Sequence, residues 1–187
     1  MTHFSSRIAA AVALALAAAP VAALADPAPA IIKVPLQPVV GADQRVCSAK
    51  TASGLGYTVL RDATGAKPGK GDFVLIGYIG YLASTGVVFD QNQATPLSVD
   101  GVIPGFAEGL LLMPRGSIYR LCVPAALGYG PAGAGDAIPP NSDLVFQIEL
   151  IDSKTAAEVA AMRKAQADAD AKAAQGATTP PPAPAGH

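Results

Sequence analysis

The chain has 187 residues, 51 % of them hydrophobic, with 13 basic and 14 acidic side chains. That length suits one domain with at most a small appendage, and a charge so close to neutral argues against nucleic acid or an anionic membrane as the main partner. The two histidines, His3 and His187, lie near the two ends, so neither is placed to act as a general base or metal ligand in a central domain.

The first residues, MTHFSSRIAAAVALALAAAPVAALA, have a short polar start with Arg7, an apolar run from Ile8 to Ala19 and an Ala23-Leu24-Ala25 cleavage pattern. These are the three parts of a secretory signal peptide, expected over residues 1–25. The apolar run is shorter than the ~20 residues a membrane span needs, and Pro20 ends it. With no cysteine directly after the cleavage point, where Asp26 stands, a stable membrane anchor is not expected, and export to the periplasm is. Cleavage would leave 12 basic against 14 acidic side chains.

Residues 26–46 follow as an arm with four prolines between Asp26 and Arg45 and no periodicity, expected to be extended. Cys47 and Cys122 are the only cysteines. In an oxidising compartment they form either a disulfide or two separate small apolar side chains. Neither belongs to a C-x-x-C pair, which disfavours redox catalysis and thiolate metal binding.

The segment GLGYTVLRDATG reads as a strand ending in turn residues, and AKPGKGD as a loop. DFVLIGYIGYL alternates with a period of two, setting Val74, Ile76 and Tyr78 on one face. TGVVFD and TPLSVDG each read as a short strand. In VIPGFAEGLLLM, Pro104 suits a first helical turn, and Phe106, Leu110 and Met113 recur at helical spacing, so this is the expected helix. SIYRLCVP reads as a half-buried strand, with Tyr119, Leu121 and Val123 opposite Ile118, Arg120 and Cys122. DLVFQIELID reads as a final strand that buries Leu144, Phe146, Ile148 and Leu150 and turns Gln147 and Glu149 outward. The set implies an α+β fold: an antiparallel half-barrel of five to six strands curled around one short helix. Beyond Asp152 an Ala-rich stretch favours a solvated helix, and the Pro-rich end favours disorder.

GYGPAG, Gly128–Gly133, matches the G-x-G-x-x-G spacing of a dinucleotide loop, but a phosphate cradle needs a helix opening at the third glycine. Gly135, Pro139 and Pro140 stand where that helix would run, so a nicotinamide-dependent oxidoreductase is not expected. No cofactor and no metal are expected, since the acids form no evident pair.

Six segments in order carry a resemblance: SGLGYTVLRDATGAKPGKGD, Gly77–Gly80, Gly86–Asp90, Val102–Leu110, VPAALGYG and IPPNSDLVFQIELI. Each is weak alone. Together, from Gly54 to Asp152, they resemble the FKBP-type peptidyl-prolyl cis-trans isomerases, in the manner of a secreted bacterial member. The resemblance implies an isomerase domain over residues 47–152, with residues 153–187 as helix and tail. It implies that Tyr78, Phe89, Asp90, Tyr129 and Phe146 carry the catalysis, and that Leu97, Val102, Ile103, Phe106 and Ile138 bind the prolyl substrate.

In that scheme the Ile103 N–H and the Tyr129 hydroxyl hold peptide carbonyls, and Tyr78 orients Asp90. Two positions depart from the family: Phe106 stands where the pocket floor is often tryptophan, and Leu97 where many members have an aromatic ring. Both leave the wall apolar and change its shape. The implied partners are proline-containing exported polypeptides, unfolded or partly folded, with macrolides of the rapamycin and tacrolimus type as further ligands. Related secreted members dimerise through a long N-terminal helical domain. The arm here is too short and proline-broken for that, so a monomer is expected. The competing reading is an FKBP-like chaperone or binding module that keeps the pocket but turns over slowly.

Overall fold

The computed structural model describes residues 31–32 and 39–176. The expected signal peptide, most of the arm and the Pro-rich end lie outside the described residues. Six strands form one antiparallel sheet: β1 (Ala49–Lys50), β2 (Gly56–Arg61), β3 (Phe73–Leu82), β4 (Val88–Ser98), β5 (Ile118–Val123) and β6 (Leu144–Lys154). Their order is β1-β2-β5-β6-β3-β4, with every neighbouring pair antiparallel. The helix α1 (Pro104–Leu112) crosses one face, and α2 (Ala156–Gly176) follows β6.

Alternation along the strands builds this face. Val74 and Ile76 on β3, Leu121 and Val123 on β5, and Leu144, Phe146, Ile148 and Leu150 on β6 pack into the main core with Phe106, Leu110 and Met113. Pro104 opens α1 at a position where a missing N–H costs nothing. The Ile103 carbonyl accepts the amides of Phe106 and Ala107, each at 3.0 Å. Fully burying side chains such as Phe106 and Leu110 stabilises by about 1.5–3 kcal/mol apiece, which is what holds so short a helix to the sheet. The helix and the half-barrel thus stand as the sequence implies.

Four expectations change. The TGVVFD and TPLSVDG segments are one strand, β4, which stays paired to β3 through register shifts at Ile76/Tyr78 and Gly80/Tyr81. Bulges of this kind let a long strand bend without breaking its ladder. β5 is buried on both faces: Ile118 is 4 % exposed and Arg120 3 %. Gln147 turns away from the core yet is buried rather than solvated. The reason for both is the arm, which is not free over its described residues. Ile32 and Val40 pack with Ile79, Tyr81 and Val145 in a second cluster on the opposite face of the sheet. Val39 bridges to Val87, and Ala42–Arg45 forms a 3₁₀ turn that brings Cys47 to Cys122, where the two are joined by a disulfide.

α2 is exposed along its length except at Val159, which is half-buried. Thr155 and Glu158 cap its start reciprocally: Thr155 N–H donates to the Glu158 carboxylate at 2.7 Å, and Glu158 N–H to the Thr155 hydroxyl at 3.1 Å. Arg163 reaches back over the Phe73 ring at 5.6 Å. None of the helices among the described residues is long and apolar enough to cross a membrane.

Candidate functional site

Between α1 and the sheet lies a cleft of about 430 Å³ lined by Tyr78, Phe89, Asp90, Leu97, Gly101, Val102, Ile103, Phe106, Tyr129 and Phe146. Strand register gathers the first of these. Gly80 of β3 stands opposite Asp90 on β4 and opposite Phe146 on β6, so Phe89, Asp90 and Phe146 flank one short stretch of β3. Gly80 is needed there. A β-carbon on it would lie 2.7 Å from two atoms of the Phe89 ring and 2.9 Å from the Phe146 ring, inside van der Waals contact.

Four rings meet edge to face. Phe106 and Phe146 have centroids 4.9 Å apart at 88°, Phe89 and Phe146 5.6 Å at 85°, and Tyr78 and Phe106 6.3 Å at 85°. In this geometry the positive edge of one ring meets the negative face of the next, each pair adding about 0.5–1.5 kcal/mol beyond area burial. Phe106 and Phe146 are each 5 % exposed and form the floor, while Phe89 is half-buried and forms a wall.

Polar groups are confined to the rim. The Tyr78 hydroxyl donates to Asp90 Oδ2 at 2.5 Å. Burial, then the hydrogen bond and the negative charge of Asp90, push the Tyr78 phenol well above its ordinary range, so it stays protonated as a donor. Tyr129, 39 % exposed, precedes the Gly130–Ala132 3₁₀ turn. That turn is tied down by Asn141 N–H donating to the Gly130 carbonyl at 2.8 Å and by the paired bonds of Ala134 and Ile138 at 2.9 and 3.1 Å. No α-helix begins at Gly133, so the G-x-G-x-x-G stretch is a rim loop.

Of the ten side chains implied by resemblance, nine line the cleft. Ile138 does not: it is 5 % exposed, packs in the main core and pins the loop through its bridge to Ala134. Gly101 in the lining and Gly80 beneath the rings were not singled out from sequence. The signal for Gly80 was a glycine inside an otherwise apolar strand, a mark of close approach. Among the described residues no group of three or more His, Cys, Asp or Glu side chains could hold a metal ion. The site has an apolar floor and a rim of one carboxylate and two phenols, which suits shape-selective binding of a small apolar unit in a peptide.

Comparisons with known proteins agree with that class of site. The family model described as FKBP-type peptidyl-prolyl cis-trans isomerase matches residues 64–151. The chain is 47 % identical over 109 residues to "Outer membrane protein MIP" of Legionella longbeachae, covering 56 % of this chain and 46 % of that protein. A crystal structure of a peptidyl-prolyl cis-trans isomerase from Pseudomonas syringae pv. tomato superposes with a TM-score of 0.55 at 40 % identity, covering 57 % of this chain and 80 % of that one. FkpA from Escherichia coli superposes with a TM-score of 0.55 at 39 % identity, covering 58 % and 52 %. The chain belongs to the FKBP-type peptidyl-prolyl cis-trans isomerase family. It spans about half the length of the curated relatives it matches.

Proposed function

We propose that this chain is a peptidyl-prolyl cis-trans isomerase that acts on proline-containing segments of exported polypeptides, through a catalytic domain over residues 47–152. The observation that carries the reading is the floor of crossed aromatic rings under a rim that holds only the Tyr78–Asp90 pair and Tyr129. Rotation about an Xaa–Pro bond breaks amide resonance against a barrier of about 18–20 kcal/mol, and unaided it takes tens to hundreds of seconds. The twisted amide has a less polar carbonyl and a less delocalised nitrogen than the planar one. A dry apolar cleft penalises it less, so desolvation and shape lower the barrier by differential binding.

In this scheme Phe89, Phe106 and Phe146 enclose the pyrrolidine ring, with Leu97 and Val102 completing the apolar wall. The Ile103 N–H and the Tyr129 hydroxyl hold flanking peptide carbonyls. Asp90, oriented by Tyr78, faces the twisting amide at the rim. No proton transfer is required, and neither a metal nor a cofactor enters. The same enclosure suits a rapamycin- or tacrolimus-class macrolide. The apolar leader of residues 1–25 supports a periplasmic location, and the short arm a monomer.

A protease-coupled assay on an Xaa-Pro peptide tests the reading. The intact protein is expected to accelerate isomerisation, with loss of the effect in Phe89→Ala and on addition of rapamycin. An intact, folded protein that gives no acceleration refutes it; if that protein still suppresses client aggregation, it is a binding module instead.

A further inference from the structure

The face of the sheet opposite the cleft carries a second built feature. Gln147 lies on β6 between Phe146 and Ile148, which belong to the main core, and its side chain goes the other way. It is 6 % exposed. The Ile32 N–H donates to Gln147 Oε1 at 2.7 Å, and Gln147 Nε2 donates to the Ile32 carbonyl at 2.8 Å. One carboxamide thus reads both main-chain groups of a single residue, as a neighbouring antiparallel strand does in a hydrogen-bonded pair.

The Ile32 side chain, also 6 % exposed, packs into the cluster with Ile79, Tyr81 and Val145. A cavity of about 440 Å³ continues beside Ile31 and Ile32 along Gln93, Ile118 and the Arg61–Glu149 ion pair.

We infer that this face is a second peptide groove, which reads one aliphatic residue of an extended chain through the Gln147 carboxamide, and that its resident occupant is the chain's own arm, anchored at Ile32. A buried carboxamide without partners is costly, so the groove demands an occupant that offers both an N–H and a carbonyl. The arm can supply them in cis because it is fastened just downstream. Val40 N–H donates to the Gly86 carbonyl at 2.8 Å, the Tyr81 hydroxyl to the Gln44 carbonyl at 2.6 Å, and Arg120 Nη1 to the Val46 carbonyl at 3.2 Å.

Gly86 has φ +78°, and a β-carbon there would strike the Val40 carbonyl oxygen, so the fastening point itself requires glycine. From Ile32 to Val39 the chain takes seven steps from residue to residue, at most about 25 Å, which keeps the local concentration of the anchor high. The inference does not depend on the activity proposed for the cleft.

The test uses the full chain. Ile32→Asp sets a charge where the aliphatic side chain sits, and is expected to empty the groove. A labelled peptide of residues 28–37 should then bind Ile32→Asp in fluorescence anisotropy. It should bind about thirtyfold more weakly when Gln147→Ala is added, since each of the two hydrogen bonds is worth about fivefold. The unaltered protein should leave the peptide unbound.

Hydrogen exchange gives a second reading that needs no emptied variant. The Ile32 amide should be protected in the unaltered protein and lose about thirtyfold of that protection in Gln147→Ala, while the β6 amides stay slow. A folded Ile32→Asp chain that ignores the peptide, equal binding with and without Gln147, or an unprotected Ile32 amide in the unaltered protein would each overturn the inference. Protection that rises with protein concentration would also overturn residence in cis, assigning the groove to the arm of a second copy.

Discussion

Replacing Gly80 by alanine tests the aromatic floor without replacing any residue that would contact a substrate. The added methyl would stand 2.7 Å from Phe89 Cε2 and Cζ and 2.9 Å from Phe146 Cε1. Carbon atoms pack at about 3.5–4.0 Å, so both contacts must open, the one to Phe89 by roughly 1 Å. Phe146 has little room to give: it is 5 % exposed, with the Phe106 centroid 4.9 Å away. Phe89 is half-buried and faces the cleft, so it is the ring that swings.

The swing forfeits the edge-to-face contact with Phe146, about 0.5–1.5 kcal/mol, as part of the usual cost of about 1–3 kcal/mol for one methylene too many in a core. Gly80 shows no positive φ, so alanine regains about 0.4–1 kcal/mol by restricting the unfolded chain. The net loss of stability is therefore expected near 1 kcal/mol. The cleft wall, by contrast, has moved by a large fraction of a bond length. A loss of at least about tenfold in kcat/KM is expected, which corresponds to only 1.4 kcal/mol in the transition state.

Urea unfolding and the protease-coupled isomerase assay, run side by side, give the two numbers. Combining Gly80→Ala with Phe89→Leu should recover most of the lost stability, because the pair share one clash and cannot be additive. A Gly80→Ala protein with unaltered kcat/KM, or one whose stability loss is untouched by Phe89→Leu, would refute the reasoning.

Other consequences are as direct. Tyr78→Phe keeps the ring on Phe106 and removes only the donor to Asp90, so kcat/KM should fall about fivefold, the worth of one hydrogen bond, with little change in unfolding midpoint. The Cys47–Cys122 bridge spans 75 positions. Chain-entropy reasoning then gives a loss of about 4 kcal/mol on reduction or double Cys→Ser replacement, measurable as a shift in urea midpoint; an unmoved midpoint contradicts it.

Burial pushes the Tyr81 phenol up to about 12, and it also raises Tyr78 and Tyr119. A raised folded-state value favours the protonated form. This contribution is therefore complete below the ordinary tyrosine value near 10 and is lost as pH climbs from there through about 12. Tyr81→Phe should flatten that alkaline decline in denaturation curves, and an unchanged slope would exclude Tyr81 as a source.

Much of the molecule could be read before any coordinates. Period-two alternation marked β3, β5 and β6, and Pro104 with Phe106, Leu110 and Met113 marked α1, because each pattern depends only on neighbours along the chain. Nine of the ten candidate cleft residues also came together, carried on β3, β4, β6, α1 and the loops beside them. Ile138 did not line the cleft, because a loop's inward side chain can serve the core as readily as a site.

What local patterns cannot report is whether a face, once defined, is covered. Arg120 and Gln147 alternate as solvent-facing residues should, yet both are buried, because the arm returns over them from more than a hundred positions away in the case of Ile32 and Gln147. The same limit hid the union of two apparent strands into β4, whose continuity rests on pairing with β3 rather than on its own residues. Periodicity fixes which way a side chain points. Only long-range closure of the chain, which no run of neighbours encodes, fixes what it meets there.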